Sequence, residues 1–67
     1  MKLPTDVSGQ ELVKVLQRIG FVVSRQKGRH IILRRADPHG RVVVPNHKRI
    51  RPGTLRHILN EAGITVE

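Results

Sequence analysis

Residues 21–45 read FVVSRQKGRHIILRRADPHGRVVVP. Three short apolar runs, FVV, IIL and VVV, stand at near-regular spacing, separated by Gly28 and by an Asp-Pro-His-Gly turn. Branched and aromatic side chains suit a pleated, half-buried surface, whereas Gly, Pro and Asp supply turn conformations. The pattern predicts a strand over 21–27, a turn at Gly28, a second strand over 29–35 and a third over 41–45, stopped by Pro45. Connections this short join antiparallel neighbours, so the stretch predicts a three-stranded antiparallel sheet.

On its N-terminal side, Ser8 to Glu11 reads S-x-x-E, a capping box that opens a helix. Leu12, Val15, Leu16 and Ile19 follow at helical period, and Gly20 stands where a C-terminal cap glycine belongs. These features predict a helix over 9–19. On the other side, the connector NHKRI leads to Pro52, a tolerated first helical residue. Leu55, Ile58, Leu59 and Ala62 repeat the apolar stripe, and Gly63-Ile64 matches a Schellman ending, which predicts a helix over 52–62. The expected fold class is α+β with element order α-β-β-β-α, both helices on one sheet face and the other face wet. A chain of 67 residues is expected to be one domain over 1–67, burying only about 60% of its unfolded surface.

Strand parity assigns the faces. If Ile31 and Leu33 point at the helices, His30, Ile32 and Arg34 share the open face. Val42 and Val44 likewise oppose Val43. A slip of one residue would exchange the two faces. A partly apolar open face on so small a basic chain fits a partner protein.

Charge is concentrated in the middle. The net charge is +8, and residues 25–51 hold nine Lys and Arg against the single Asp37. Such a block is an electrostatic footprint for a polyanion, with RNA or another nucleic acid the first expectation and an acidic protein the second. Aromatic residues are nearly absent, with one Phe and no Tyr or Trp, which argues for recognition of backbone and groove over base stacking. There is no Cys, hence no disulfide and no thiolate metal site. Apolar runs of three residues cannot span a membrane, and the first residues lack the apolar segment of a secretory signal. A cytoplasmic protein without a membrane partner is expected.

The chain has four histidines, His30, His39, His47 and His57. They lack metal-ligand spacing, so no metal and no cofactor is expected. A histidine among cations suits cleavage of RNA by its own 2′-hydroxyl, because imidazole exchanges protons near neutral pH and the cations offset charge on the pentavalent phosphorus. His30, beside the Gly28 turn, is the leading candidate. His47 is either a second proton-transfer group, an RNA contact or an ordinary loop residue. His39 and His57 read as solvent-facing. Position and composition alone favour an ordinary surface role even for His30.

Three stretches together resemble the HicA toxin family, the YcfA-like mRNA interferases. SGQELVKVLQRIGFVVSRQKGRH is similar to that family's opening helix, first strand and G-S-H turn. VVVPNH is similar to its V-P-x-H segment, and RPGTLRHILNEAGI to its closing helix. The resemblance implies a double-stranded-RNA-binding-domain-like fold, metal-independent endoribonuclease activity on mRNA, and a HicB-type antitoxin that masks the toxin. It implies that His30 is the catalytic histidine. Lys27, Gly28, Arg29, Arg34, His47 and Lys48 are the residues expected to bind RNA. Arg29 departs from the family pattern, which usually has Ser there; an arginine can hold phosphate but lacks the hydroxyl, which bears on how active this copy is. The alternatives are a non-catalytic RNA-binding module on the same fold and a protein-binding partner for an acidic surface.

Overall fold

The computed structural model describes residues 7–37 and 39–64; Pro38 of the expected turn lies outside them. Along the chain run α1 (Gly9–Arg18), β1 (Val22–Lys27), β2 (His30–Arg35), β3 (Gly40–Pro45) and α2 (Pro52–Glu61). The sheet is antiparallel with β2 in the centre. The α-β-β-β-α order and the α+β class are as the sequence predicts.

Local chemistry explains each boundary. At the start of α1, the Glu11 N–H donates to Ser8 Oγ and the Ser8 N–H donates to Glu11 Oε1, both at 3.1 Å, completing the capping box. Both helices end in Schellman geometry: the Phe21 N–H reaches the Leu16 carbonyl at 3.1 Å, and the Ile64 N–H reaches that of Leu59 at 2.9 Å. The glycines between, Gly20 and Gly63, have φ of 98° and 82°, values that a side chain would strain. Ile19 and Ala62, expected as the last helical residues, are the caps. The β1–β2 hairpin turns at Gly28 and Arg29. Gly28 alone has positive φ, at 59°, as a II′ turn requires at its first central position.

A single apolar core lies between the helices and one sheet face. Ile31, Leu33, Val42 and Val44 meet Leu12, Val13 and Leu16 of α1 and Leu55, Ile58, Leu59 and Ala62 beyond or within α2. Phe21 and Ile50, from connecting segments, complete it. The predicted stripe of α2 is buried throughout. That of α1 is corrected: Val13 is buried, whereas Val15 and Ile19 are 44% and 38% exposed. The helix is therefore rotated so that Gly9, Leu12, Val13 and Leu16 face inward, again at i, i+3, i+4 and i+7. Gly9 permits this rotation: without a Cβ it lets the first turn of α1 lie against the backbone of Pro45 and Asn46, where its N–H bonds the His47 carbonyl.

The strand faces follow the predicted parity, with one change. The register breaks between Val23 and Arg25, leaving Ser24 as an extra residue in β1. Lys27 and Arg25 stand opposite His30 and Ile32 on the open face, and beyond the bulge Val22, not Val23, stands opposite Arg34.

Arg35 takes a structural place that its charge alone does not reveal. It lies on the helix side of β2, and its two terminal guanidinium nitrogens donate to the carbonyls of Ile19 (3.2 Å) and Ala62 (3.1 Å). These are the C-terminal caps of the two helices. The guanidinium also sits 4.4 Å from the centroid of the Phe21 ring. One of the nine cations counted toward the polyanion footprint is thus bound to the protein itself.

Candidate functional site

The site is assembled where the β1–β2 hairpin meets the connector between β3 and α2. His30 opens β2 on its open face, with Lys27 and Pro45 as its cross-strand neighbours. Immediately before it, the Arg29 carbonyl accepts from the Asn46 N–H at 2.6 Å. The strand ladder is thus extended by one bond past Pro45, and the connector is tied to the hairpin.

His47 is held from both sides of its backbone. Its N–H donates to the Pro45 carbonyl and its own carbonyl accepts from the Gly9 N–H, both at 2.9 Å. Gln10 Nε2 donates to Asn46 Oδ1 at 3.1 Å, and the Ile50 N–H donates to the Val7 carbonyl at 2.7 Å. The connector is therefore docked on the first turn of α1. Gly9 is what permits the approach: a Cβ there would lie 2.3 Å from the Pro45 carbonyl oxygen and 2.9 Å from Asn46 Cα. Gly9→Ala is expected to push residues 45–47 away, costing about 1–3 kcal/mol. A thermal melt would read the loss, and the His47 imidazole resonances should move while those of the exposed His57 stay.

The result is a groove of about 530 Å³ lined by His30, Val43, Pro45, His47, Arg49, Ile50, Arg51 and Thr54. A second, shallower groove is lined by Arg29, Asn46, His47, Lys48 and Arg49. His47 and Arg49 belong to both, so the two are continuous. At one edge lies the N-terminus of α2. Arg51 is its cap residue, without a side-chain capping bond, and its first turn holds no acidic residue. The outward N–H groups of a helix start carry partial positive charge, which adds to that of Arg49 and Arg51. Such a surface can hold a phosphodiester and can offer two imidazoles to it.

Of the residues singled out from the sequence, His30 and His47 share one groove, and Arg29, His47 and Lys48 share the other. Lys27 faces His30 across the hairpin, and Gly28 shapes the turn. Arg34 is not brought to this group: it stands four residues along β2 from His30, roughly 13 Å away at strand rise. Asn46, Arg49, Arg51 and Thr54 were not expected as site residues. The density of H-K-R-x-R before Pro52 was their signal for the arginines; Thr54 had none. His39 is exposed, and His57 pairs with Glu61 at 3.1 Å on the surface of α2. Among the described residues, no three His, Asp or Glu side chains group as metal ligands, and no helix is long and apolar enough to cross a membrane.

Fold and surface together define a small basic domain with the topology of double-stranded-RNA-binding domains. Residues 9–64 match the family described as the HicA toxin of bacterial toxin-antitoxin, and the chain belongs to that family. Among curated proteins, none matches it by sequence.

Proposed function

We propose that this protein is the toxin of a toxin–antitoxin pair, a metal-independent endoribonuclease that cleaves mRNA with His30 and is masked by a HicB-type antitoxin. The observation that carries the reading is the meeting of His30 and His47, from separate elements, in one groove with Arg49 and Arg51. Membership of the HicA family supports the same reading.

The chemistry uses only groups of the chain and of RNA. One imidazole, neutral, takes the proton of a ribose 2′-hydroxyl. The 2′-oxygen attacks the adjacent phosphorus, and the bond from phosphorus to the 5′-oxygen breaks. The second imidazole, protonated, gives its proton to that leaving oxygen. The products are a 2′,3′-cyclic phosphate and a 5′-hydroxyl end. In this reading His30 and His47 are the two proton-transfer groups. Arg49 and Arg51 stabilise charge on the pentavalent phosphorus, while Lys27, Arg29 and Lys48 bind flanking phosphates. Arg29 supplies charge beside His30, at the position where the family resemblance leads one to expect a serine.

The test is cleavage of a defined RNA by purified, folded protein in excess EDTA, beside His30→Ala. Cleavage by the wild type alone, with cyclic phosphate ends, is the expected result. Intact RNA with salt-sensitive binding would establish the non-catalytic RNA-binding module instead, and the Arg29 departure from the family favours that second reading.

A further inference from the structure

Of the eight residues that line the larger groove, the proposed chemistry uses four, His30, His47, Arg49 and Arg51. The other four, Val43, Pro45, Ile50 and Thr54, have no task in it. Three of them are apolar and lie beside the histidines. Pro45 stands directly opposite His30 across the strands. The Asn46 N–H bond to the Arg29 carbonyl makes 29 and 46 a hydrogen-bonded pair, so His30 and Pro45 form the closer, non-hydrogen-bonded kind, with Cα atoms about 4.5 Å apart. Val43 lies two residues along on the same face of β3 and is 37% exposed. Ile50, a core residue, reaches the same lining. The smaller groove, which shares His47 and Arg49, is entirely polar. No Asp or Glu lines either one.

One polyanionic strand can run along both grooves, and the two linings sort its parts. Phosphates belong with the polar one. A heterocyclic base, with apolar faces and polar edges, fits the other, where Thr54 supplies a hydroxyl that can donate or accept. The cleavage step sets the same demand. The 2′-oxygen must approach phosphorus in line with the departing 5′-oxygen, and a stacked A-form strand holds it off that line. The nucleotide must therefore swing out of its stack, and its base needs a seat next to the histidines. We infer that Val43, Pro45 and Ile50 form a subsite for one unpaired base beside the scissile phosphate, with the Thr54 hydroxyl at its edge. The subsite rests on the nuclease reading and names the substrate class: RNA whose target nucleotide lies outside a continuous duplex. The topology shared with duplex-binding domains, taken alone, points the other way.

The test uses three RNAs of one sequence around one cleavage site: single-stranded, fully paired in a hairpin, and the same hairpin with the target nucleotide bulged. The paired form should be cut about 10²-fold more slowly than the single strand, the cost of unpairing and unstacking one nucleotide, and the bulge should restore most of the rate. Equal rates for the paired and bulged hairpins would overturn the inference. Thr54→Val keeps the shape and removes the hydroxyl, so relative cleavage at the four possible bulged nucleotides should change by about 3- to 10-fold. Unchanged ratios would overturn the assignment of Thr54. A measurement independent of cleavage uses the wild type with labelled methyl groups and RNA carrying a 2′-deoxynucleotide at the site. The single strand should shift the Val43 and Ile50 methyl resonances and leave those of Val22, which is 66% exposed and lines neither groove. No shift at Val43 with saturating single strand, or equal shifts with the duplex, would likewise overturn the subsite. If the wild type cleaves none of the three RNAs, the nuclease reading fails, while the methyl measurement still decides the subsite.

Discussion

His30→Ala is expected to lower RNA cleavage by about 10²- to 10⁴-fold, the range associated with a positioned general acid or base. Folding should be spared, because His30 is exposed, at the start of a strand, and lies outside the core. RNA affinity should change little, since Arg29, Lys48 and Arg49 remain. His47→Ala should lose activity in the same range. If both imidazoles serve one step, the double variant falls little further than either single one. A leaving-group test separates the roles. With sulfur in place of the bridging 5′-oxygen, departure needs no proton, so the variant lacking the acid regains rate and the variant lacking the base does not. His57→Ala is the control, because His57 is 72% exposed and pairs with Glu61 in its own helix, outside the groove of His30 and His47. Activity undiminished in both His30→Ala and His47→Ala would remove the groove from the chemistry.

Arg35→Ala is expected to be the most destabilising change of a charged residue described here. The guanidinium closes the C-terminal carbonyls of both helices and stacks over Phe21, so its loss leaves two carbonyl groups without their donor and uncovers a core ring. Hydrogen bonds to a charged group contribute roughly 1.5–3 kcal/mol each, and the partial negative charge of two helix ends adds to the attraction. Partial exposure discounts the sum to about 2–4 kcal/mol. For a chain this small, total stability is on the order of 3–10 kcal/mol, and each kcal/mol moves the melting temperature by about 4–8 °C. The melt should therefore fall by roughly 10–25 °C. Arg35→Lys should recover less than half of it, since an ammonium cannot bridge two carbonyls as a planar fork does. Cleavage at low temperature, where the variant is folded, should stay near wild type. A melt within 3 °C or so of wild type would mean that the two carbonyls find water at no cost, against the magnitudes above.

These two residues mark what could and could not be read from the chain. Both have a position in the strand pattern, and parity puts His30 on the open face and Arg35 on the helix face. The charge pattern nonetheless groups Arg35 with the polyanion-binding cations, because a linear count does not register that two helices end beside it. The α1 stripe shows the same limit. Apolar residues at 12, 13, 15, 16 and 19 allow two rotations of the helix, and contact between Gly9 and the 45–46 backbone selects one.

Local signals were sufficient for the caps, the turns, the strand order and the class of fold, since capping boxes, cap glycines and period-2 alternation act over a few residues. They also singled out His30 and, through three short motifs, the family. Only the tertiary structure decided which cations face outward, how β1 bulges at Ser24, and that His47 joins His30 under the arginines before α2. Those outcomes depend on backbone bonds between residues far apart in the chain, Gly9 to His47 and Asn46 to Arg29, and no local pattern encodes such distances.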